Sequence, residues 1–307
     1  MLRLINRWLK GRFLAAAPLL LLLMGSGGSG ADPNSLAVPA PFVFADPTPN
    51  YFPDWNNPQG KDQVDCAIIP GQIPEVWIVG LPGQSNTTDS VDGLYVPTNP
   101  GVENFNISDG GCYRAKPGGP IDPMLGCTGY PPGLGTPYPT GNWIGALADL
   151  RINAGRATRE IMVPTGVGGS YMHDWEPGAS NNVRIGVTAR RLAAAELTPT
   201  GILIGQGESD VFTTYAAYLA SLQNVIASIR VYFPTTPIYV AQETYINGFT
   251  SAAVRAAQAA VVNPVNHVFA GPNLDLLGAG YRQPDDVHFN FASGVPAVAG
   301  AWHASLP

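Results

Sequence analysis

Two short stretches hold the residue types that acyl transfer needs. Gly83-Gln84-Ser85-Asn86 sets a serine just past an apolar run, Val76 to Val79, where it can offer both its hydroxyl and its backbone N–H to one substrate atom. Pro284-Asp285-Asp286-Val287-His288-Phe289-Asn290 holds the one histidine of four with carboxylates two and three positions before it. An aspartate three residues upstream can fold back onto one imidazole nitrogen and fix its tautomer, leaving the other nitrogen to take a proton from a serine. Ser85 is thus the candidate nucleophile, His288 the candidate base and Asp285 its orienting acid. Each stretch also has a plainer reading. Gly-Gln-Ser-Asn is an ordinary loop sequence, and His288 reads equally as a satisfied loop histidine or a metal ligand, although no second histidine or thiolate cluster supports a cation. His173, His267 and His303 lack the arrangement and read as structural or surface residues.

The elements that must position these groups follow from periodicity. Val76–Val79 reads as a buried strand broken by Leu81, Pro82 and Gly83. From Asn142 onward, helical and strand patterns alternate. Helices are expected at Trp143–Asn153, Val183–Leu197, Tyr215–Val231, Ser251–Val262 and Ala292–Ala304, and strands at Glu160–Val163, Ile202–Ile204, Ile238–Ala241 and His267–Ala270. This alternation predicts one α/β domain over Glu75–Pro307, with a parallel sheet between helices on both faces. In such sheets substrates meet the carboxyl edge. Two more polar clusters stand at strand ends there: Gly168-Gly169-Ser170, which reads as an anion-approaching loop or a simple turn, and Gln206-Gly207-Glu208-Ser209-Asp210.

Composition bounds the class. The 307 residues are 45% hydrophobic and 12% charged, with 36 glycines and 30 prolines, which implies long turn-rich loops on a globular body. Residues 1–31 read as an export signal: four basic residues, the apolar run Phe13–Met24, then small residues. An uncleaved anchor is the alternative. Removing that stretch leaves 12 basic against 22 acidic residues, a charge of −10 in place of −6. With lysine only at positions 10, 61 and 116 there is no basic patch, which argues against nucleic acid as a partner. The expected setting is secreted or periplasmic, without stable membrane association once the signal is removed. Residues 32–74 read as a Pro-rich spacer whose aromatics (Phe42, Phe44, Tyr51, Phe52, Trp55) pack on the body or line a carbohydrate surface. Residues 87–142 read as a long Gly/Pro-rich loop forming a wall of the cleft. Three cysteines allow three single pairings. Proximity favours Cys112–Cys127, a loop of ~15 residues whose closure contributes roughly 3 kcal/mol, with Cys66 left over. The glycosylation-like triplets at Asn86 and Asn106 are expected to be chance matches.

Taken together, Gly83-Gln84-Ser85-Asn86, Gly168-Gly169-Ser170 with Trp175 five positions on, Gln206-Gly207-Glu208-Ser209-Asp210 and Asp285-x-x-His288-Phe289-Asn290 resemble the SGNH hydrolases. Within them the resemblance is to the sialate O-acetylesterase-like and carbohydrate acetylesterase (acetylxylan esterase) branch. It implies a three-layer flavodoxin-like fold and a metal-free, cofactor-free serine esterase acting on acetylated carbohydrate. It also implies an oxyanion hole from the Ser85 and Gly168 N–H groups and the Gln206 side chain, with Gly169 competing for the second place. The sequence departs from that family at Ile204-Gly205, where bulky aromatics or histidine are usual, and at Thr87, where methionine is frequent; both bear on substrate shape. A short-chain carboxylesterase and a non-catalytic carbohydrate-binding protein are the rival expectations.

Overall fold

The computed structural model describes residues 58, 60–127 and 141–307. The expected export signal, the aromatics at positions 42 to 55 and the middle of the 87–142 loop lie outside these residues. The strands are β1 (Lys61–Val64), β2 (Pro74–Gly83), β3 (Val102–Phe105), β4 (Cys112–Ala115), β5 (Arg159–Pro164), β6 (Gly201–Gly205), β7 (Ile238–Gln242) and β8 (Val268–Asn273). The helices are α1 (Ile144–Asn153), α2 (Val183–Ala194), α3 (Tyr215–Tyr232), α4 (Ala252–Ala260) and α5 (Gly294–Ser305). Thr214 and Ser251 cap α3 and α4, each side chain accepting an N–H from three residues on.

One sheet runs β1-β4-β3-β5-β2-β6-β7-β8. Its parallel centre, β5-β2-β6-β7-β8, has the flavodoxin-like order in which the first strand lies between the second and third. Side-chain alternation along the strands makes the layers. Val76, Ile78, Ile161, Val163, Ile202, Ile204, Ile238 and Val240 face a core shared with α2, α3 and α4. Trp77, Val79, Met162, Leu203, Tyr239 and Ala241 face the opposite core with α1 and α5, where Trp143 stacks on Trp302 at 6.0 Å. The three-layer α/β expectation is met.

Four details differ from the expectation. The sheet is mixed, because β4 runs antiparallel to both β1 and β3. β1 lies inside the stretch read as a spacer, and β3 and β4 inside the stretch read as loop; at four residues each, these strands are too short for periodicity to reveal them. β2 continues through Leu81-Pro82 to Gly83, and its register against β6 shifts between Val79 and Gly83. The shift begins at Gly80, whose φ is +78° and whose place admits no side chain, since a Cβ there would lie 2.7 Å from Thr87 Oγ1. Lastly, the disulfide is Cys66–Cys112, not Cys112–Cys127. Pairing of Val64 with Cys112 across β1 and β4 carries Cys66 to a Cα–Cα distance of 5.4 Å, so strand register outweighs closeness in sequence. Cys127 is a buried free thiol against Asp89.

Under the sheet Arg151 joins Glu75 and Glu160, its guanidinium 4.8 Å from the centre of the Trp77 ring. Burial, with Glu75 alongside, pushes the Glu160 carboxyl up to about 9, and Arg151 offsets this only in part.

Two outcomes follow. Peptide mapping is expected to recover a Cys66–Cys112 bridge and a free Cys127. Replacing Cys66 and Cys112 by alanine should cost roughly 4 kcal/mol of stability, the closure entropy of a loop this long; recovery of a Cys112–Cys127 peptide would overturn the pairing. Because Glu160 keeps in the native state a proton that the unfolded chain releases above 4.5, its contribution to stability declines as pH rises from 4.5 toward 9. The slope is up to ~1.4 kcal/mol per pH unit. Denaturation of Glu160→Gln at pH 5, 7 and 9 should show a flatter profile than the wild type.

Candidate active site

Where β2 ends, its two neighbours in the sheet hold the next residues in place. The Gln84 N–H donates to Gly205 O at the end of β6 (3.2 Å), and the Val167 N–H beyond β5 donates to Gly83 O (2.9 Å). A single 3-10 turn, Ser85–Thr87, follows, and the Ser85 carbonyl accepts from Thr88 N–H, Thr88 Oγ1 and Ser90 Oγ at 2.6 to 3.0 Å. At the start of such a turn the first N–H groups have no carbonyl to reach. Among the described residues the Ser85 N–H has no acceptor. Ser85 is 4% exposed, and its turn sits at the switch point of the parallel strand order, on the carboxyl edge.

Beside it, Val167 to Ser170 form a tight turn closed by Ser170 N–H to Val167 O, 3.3 Å. Gly169, at φ +72°, occupies the position that demands glycine. Neither Gly168 N–H nor Gly169 N–H has an acceptor among the described residues, so both remain donors for an oxyanion. Ser170 is fixed in turn by the Trp175 indole N–H at 3.1 Å.

Gln206 departs from its expected role. Its Nε2 donates to Ser170 O at 2.7 Å and Gln84 Oε1 at 2.8 Å, with Asp210 Oδ2 at 3.3 Å. Both amide protons are therefore engaged within the protein, and the side chain, fully buried, ties the β2, β5 and β6 loops together. Gln206 thus serves here as a scaffold, and the expected donation to an oxyanion would require it to give up one of these partners.

The loop after β8 carries the acid and the base. His288 Nδ1 lies 2.6 Å from Asp285 Oδ2, and Asp285 Oδ1 accepts the backbone N–H groups of Val287 and His288 at 3.0 Å each. Partial burial pushes the Asp285 carboxyl up, but these three hydrogen bonds outweigh it and hold it at about 2. The chain reverses at Asp286, whose φ of +54° is held by Tyr245 Oη–H to its carboxylate and by Asn247 N–H to its carbonyl, 2.8 Å each.

Asn86 joins the two halves. Its Nδ2 donates to Val287 O at 3.3 Å and also to Glu208 Oε1, while its Oδ1 accepts the Phe289 N–H at 3.3 Å. The residue after Ser85 thus grips both residues flanking His288, which ties the Ser85 turn to the loop that carries His288 and Asp285. Asn86 and Asn106 are both buried, so their glycosylation-like triplets are indeed fortuitous. The sequence shows Asn86 only as part of a serine motif, with nothing to mark this grip. Glu243, behind Glu208, carried no local signal at all.

Residues 148–299 match the family described as carbohydrate esterase, sialic acid-specific acetylesterase. The matched stretch contains Gly168, Gln206, Asp285 and His288; Ser85 precedes it. No curated protein matches the chain. Among solved structures, a protein from Arabidopsis thaliana is similar over 76% of this chain and 100% of its own, with 17% identity and a TM-score of 0.55. A carbohydrate acetylesterase from Xanthomonas citri is similar over 75% of this chain and 55% of its own, with 16% identity and a TM-score of 0.53. These two likenesses concern the fold. The family match supports a hydrolase of the carbohydrate acetylesterase kind.

If Asp285 fixes the His288 tautomer, Asp285→Asn should lower kcat on an activated aryl acetate by roughly 10²- to 10⁴-fold with KM little changed. A variant with wild-type kcat would remove Asp285 from that role.

Proposed function

We propose that this chain is a serine esterase that removes O-acetyl groups from carbohydrate through an acyl-enzyme intermediate. The observation that carries the reading is the grip of Asn86 on the His288 loop, because it joins a serine with an open N–H to a histidine already oriented by a carboxylate. His288 takes the Ser85 hydroxyl proton as Oγ bonds to the ester carbonyl carbon. The oxygen that becomes negative is received by the Ser85 N–H and a glycine N–H of the 168–169 turn, preorganised donors each worth roughly 3 kcal/mol in comparable sites. The carbon–oxygen bond to the sugar breaks, and the alcohol leaves with the proton from His288. Water, deprotonated by the same imidazole, then attacks the acyl-serine; acetate departs and Ser85 regains its proton.

Carbohydrate as the alcohol side is supported by the family matched over 148–299 and by the rim of the site. Tyr171, Phe212, Phe249 and Phe291 are exposed on the loops that leave β5, β6, β7 and β8, the last packed beside Gly93. Exposed aromatics gathered on one functional edge suit a ligand with alternating apolar faces and hydroxyls, as a sugar ring has. Export belongs to the same reading and is supported by the sequence pattern of residues 1–31 and by the Cys66–Cys112 disulfide.

The test is acetate release from acetylated xylan and from O-acetylated sialic acid, with Ser85→Ala beside the wild type. The expected result is release that drops at least roughly 1,000-fold in the variant. Release that survives the substitution would remove Ser85 as nucleophile. Folded wild-type protein that releases no acetate from these or from an aryl acetate would leave a carbohydrate-binding protein.

A further inference from the structure

Two carboxyl groups lie behind the nucleophile's turn, and no step of the reaction above uses them. Glu208 and Glu243 are each 1% exposed and interact with one another, and three of their four carboxyl oxygens, Glu208 Oε2 and both of Glu243, are buried without a hydrogen-bond donor among the described residues. Glu208 accepts from Asn86 with its other oxygen, Oε1. Glu243 reaches in from the end of β7, close enough that a Cβ on Gly205 would lie 2.7 Å from its Oε2. Two carboxylates cannot accept from each other; one must be an acid that donates.

The surroundings say how many charges the pair holds. Arg282, 5% exposed and 3.7 Å over the Phe289 ring, is the cation that interacts with both carboxyls, and it also donates to Val287 O at 2.7 Å. Asp275, beyond β8, has its own partners in Thr244, the Tyr245 N–H and Arg255 at 3.6 Å. Tyr218 from α3 faces the pair and donates its hydroxyl proton to Gln206 O. One guanidinium balances one carboxylate, so the second carboxyl keeps its proton.

We propose that Glu243 is a positioning residue: as a carboxylic acid donating to the Glu208 carboxylate, it fixes the Asn86 carboxamide and, through Asn86, the seat of His288 beside Ser85. The proposal rests on the esterase reading for its kinetic readout. Its direction is supported by electrostatics: burial, and then the Glu208 charge, pushes the Glu243 carboxyl well above the usual carboxylate range. Burial raises Glu208 as well, against the hydrogen bond from Asn86 that favours its charged form. On the alkaline side Glu243 loses its proton. Two adjoining carboxylates then repel, Glu208 is pulled from Asn86, and the amide that grips Val287 and Phe289 loosens.

The experiment compares Glu243→Gln and Glu243→Ala with the wild type on an activated aryl acetate, over pH 6 to 10. Glutamine can donate its amide N–H to Glu208 but cannot titrate. It is expected to keep kcat within about threefold at pH 7 and to hold it to higher pH than the wild type. Alanine is expected to lower kcat roughly 10- to 100-fold, the cost of a displaced reacting group, with KM unchanged because Glu243 does not meet the substrate. An alanine variant as active as the wild type, or a glutamine variant as impaired as alanine, overturns the proposal, as does an alkaline decline identical in glutamine variant and wild type. If Glu243→Gln does not fold, Glu208→Gln examines the pair from the other side, its alkaline decline expected to move and an unmoved one overturning the proposal. Infrared difference spectra between the two proteins give a readout independent of activity: beyond the bands they share, Glu160 among them, the wild type is expected to show one more buried protonated carboxyl than the glutamine variant. Identical bands in the two proteins would place the proton elsewhere. The failure of the esterase reading is separate, since that would show as wild-type protein without acetate release whatever stands at position 243.

Discussion

Asn86 and Phe289 are 203 residues apart in the chain, and the hydrogen bond between them, with its companion to Val287, holds the first and last loops of the candidate site together. A carboxamide suits this task because it donates twice and accepts twice from one rigid plane. Here both protons and one lone pair are placed: the protons on Val287 O and Glu208, the lone pair under the Phe289 N–H. The other groups of the site depend on that plane. In the proposed reaction Asp285 orients an imidazole whose backbone Asn86 has already fixed, and the open N–H groups at Ser85 and Gly168 have value only while that loop is held.

A second regularity concerns how the fold tolerates charge in its interior. In three places among the described residues, two carboxyls, at least one of them buried, lie near a single cation: Glu75 and Glu160 with Arg151, Glu208 and Glu243 with Arg282, Asp89 and Asp122 with Lys61. In each, at least one acid is pushed above its ordinary range by burial, Asp89 to about 6 and Glu160 to about 9. An unpaired carboxylate in such surroundings would be far more costly than a neutral acid that still has a hydrogen-bond partner. A chain with only 12% charged residues therefore carries much of its titration inside the body, where it couples to packing.

The sequence made some of this visible and hid the rest for identifiable reasons. The central strands were legible because both their faces are buried, which forces β-branched runs such as Val76–Val79 and Ile202–Ile204. His288 was legible because Asp285 acts across three residues, a distance the sequence displays directly. What stayed hidden depends on contacts between distant elements. Cys66 meets Cys112 only through the β1–β4 register. β3 and β4 are too short to show a period, and Gln206 could be placed in a motif without showing that both its amide protons are taken. Glu243 stands in an unremarkable Gln-Glu-Thr segment, and its importance comes wholly from what lies against it.

The antiparallel side of the sheet has a consequence of its own. β1 is the outermost strand there, four residues long, held by β4 on one side and tethered by Cys66 just past its end. Its Lys61 turns inward to donate to Ile121 O rather than standing guard at the rim. Made in a compartment that keeps thiols reduced, the protein would have a terminal ribbon free to lift away, baring the ladder of β4 to the matching strand of a neighbouring molecule. Activity, built on the parallel half, would persist in the molecules that stay apart, and the damage would show as self-association.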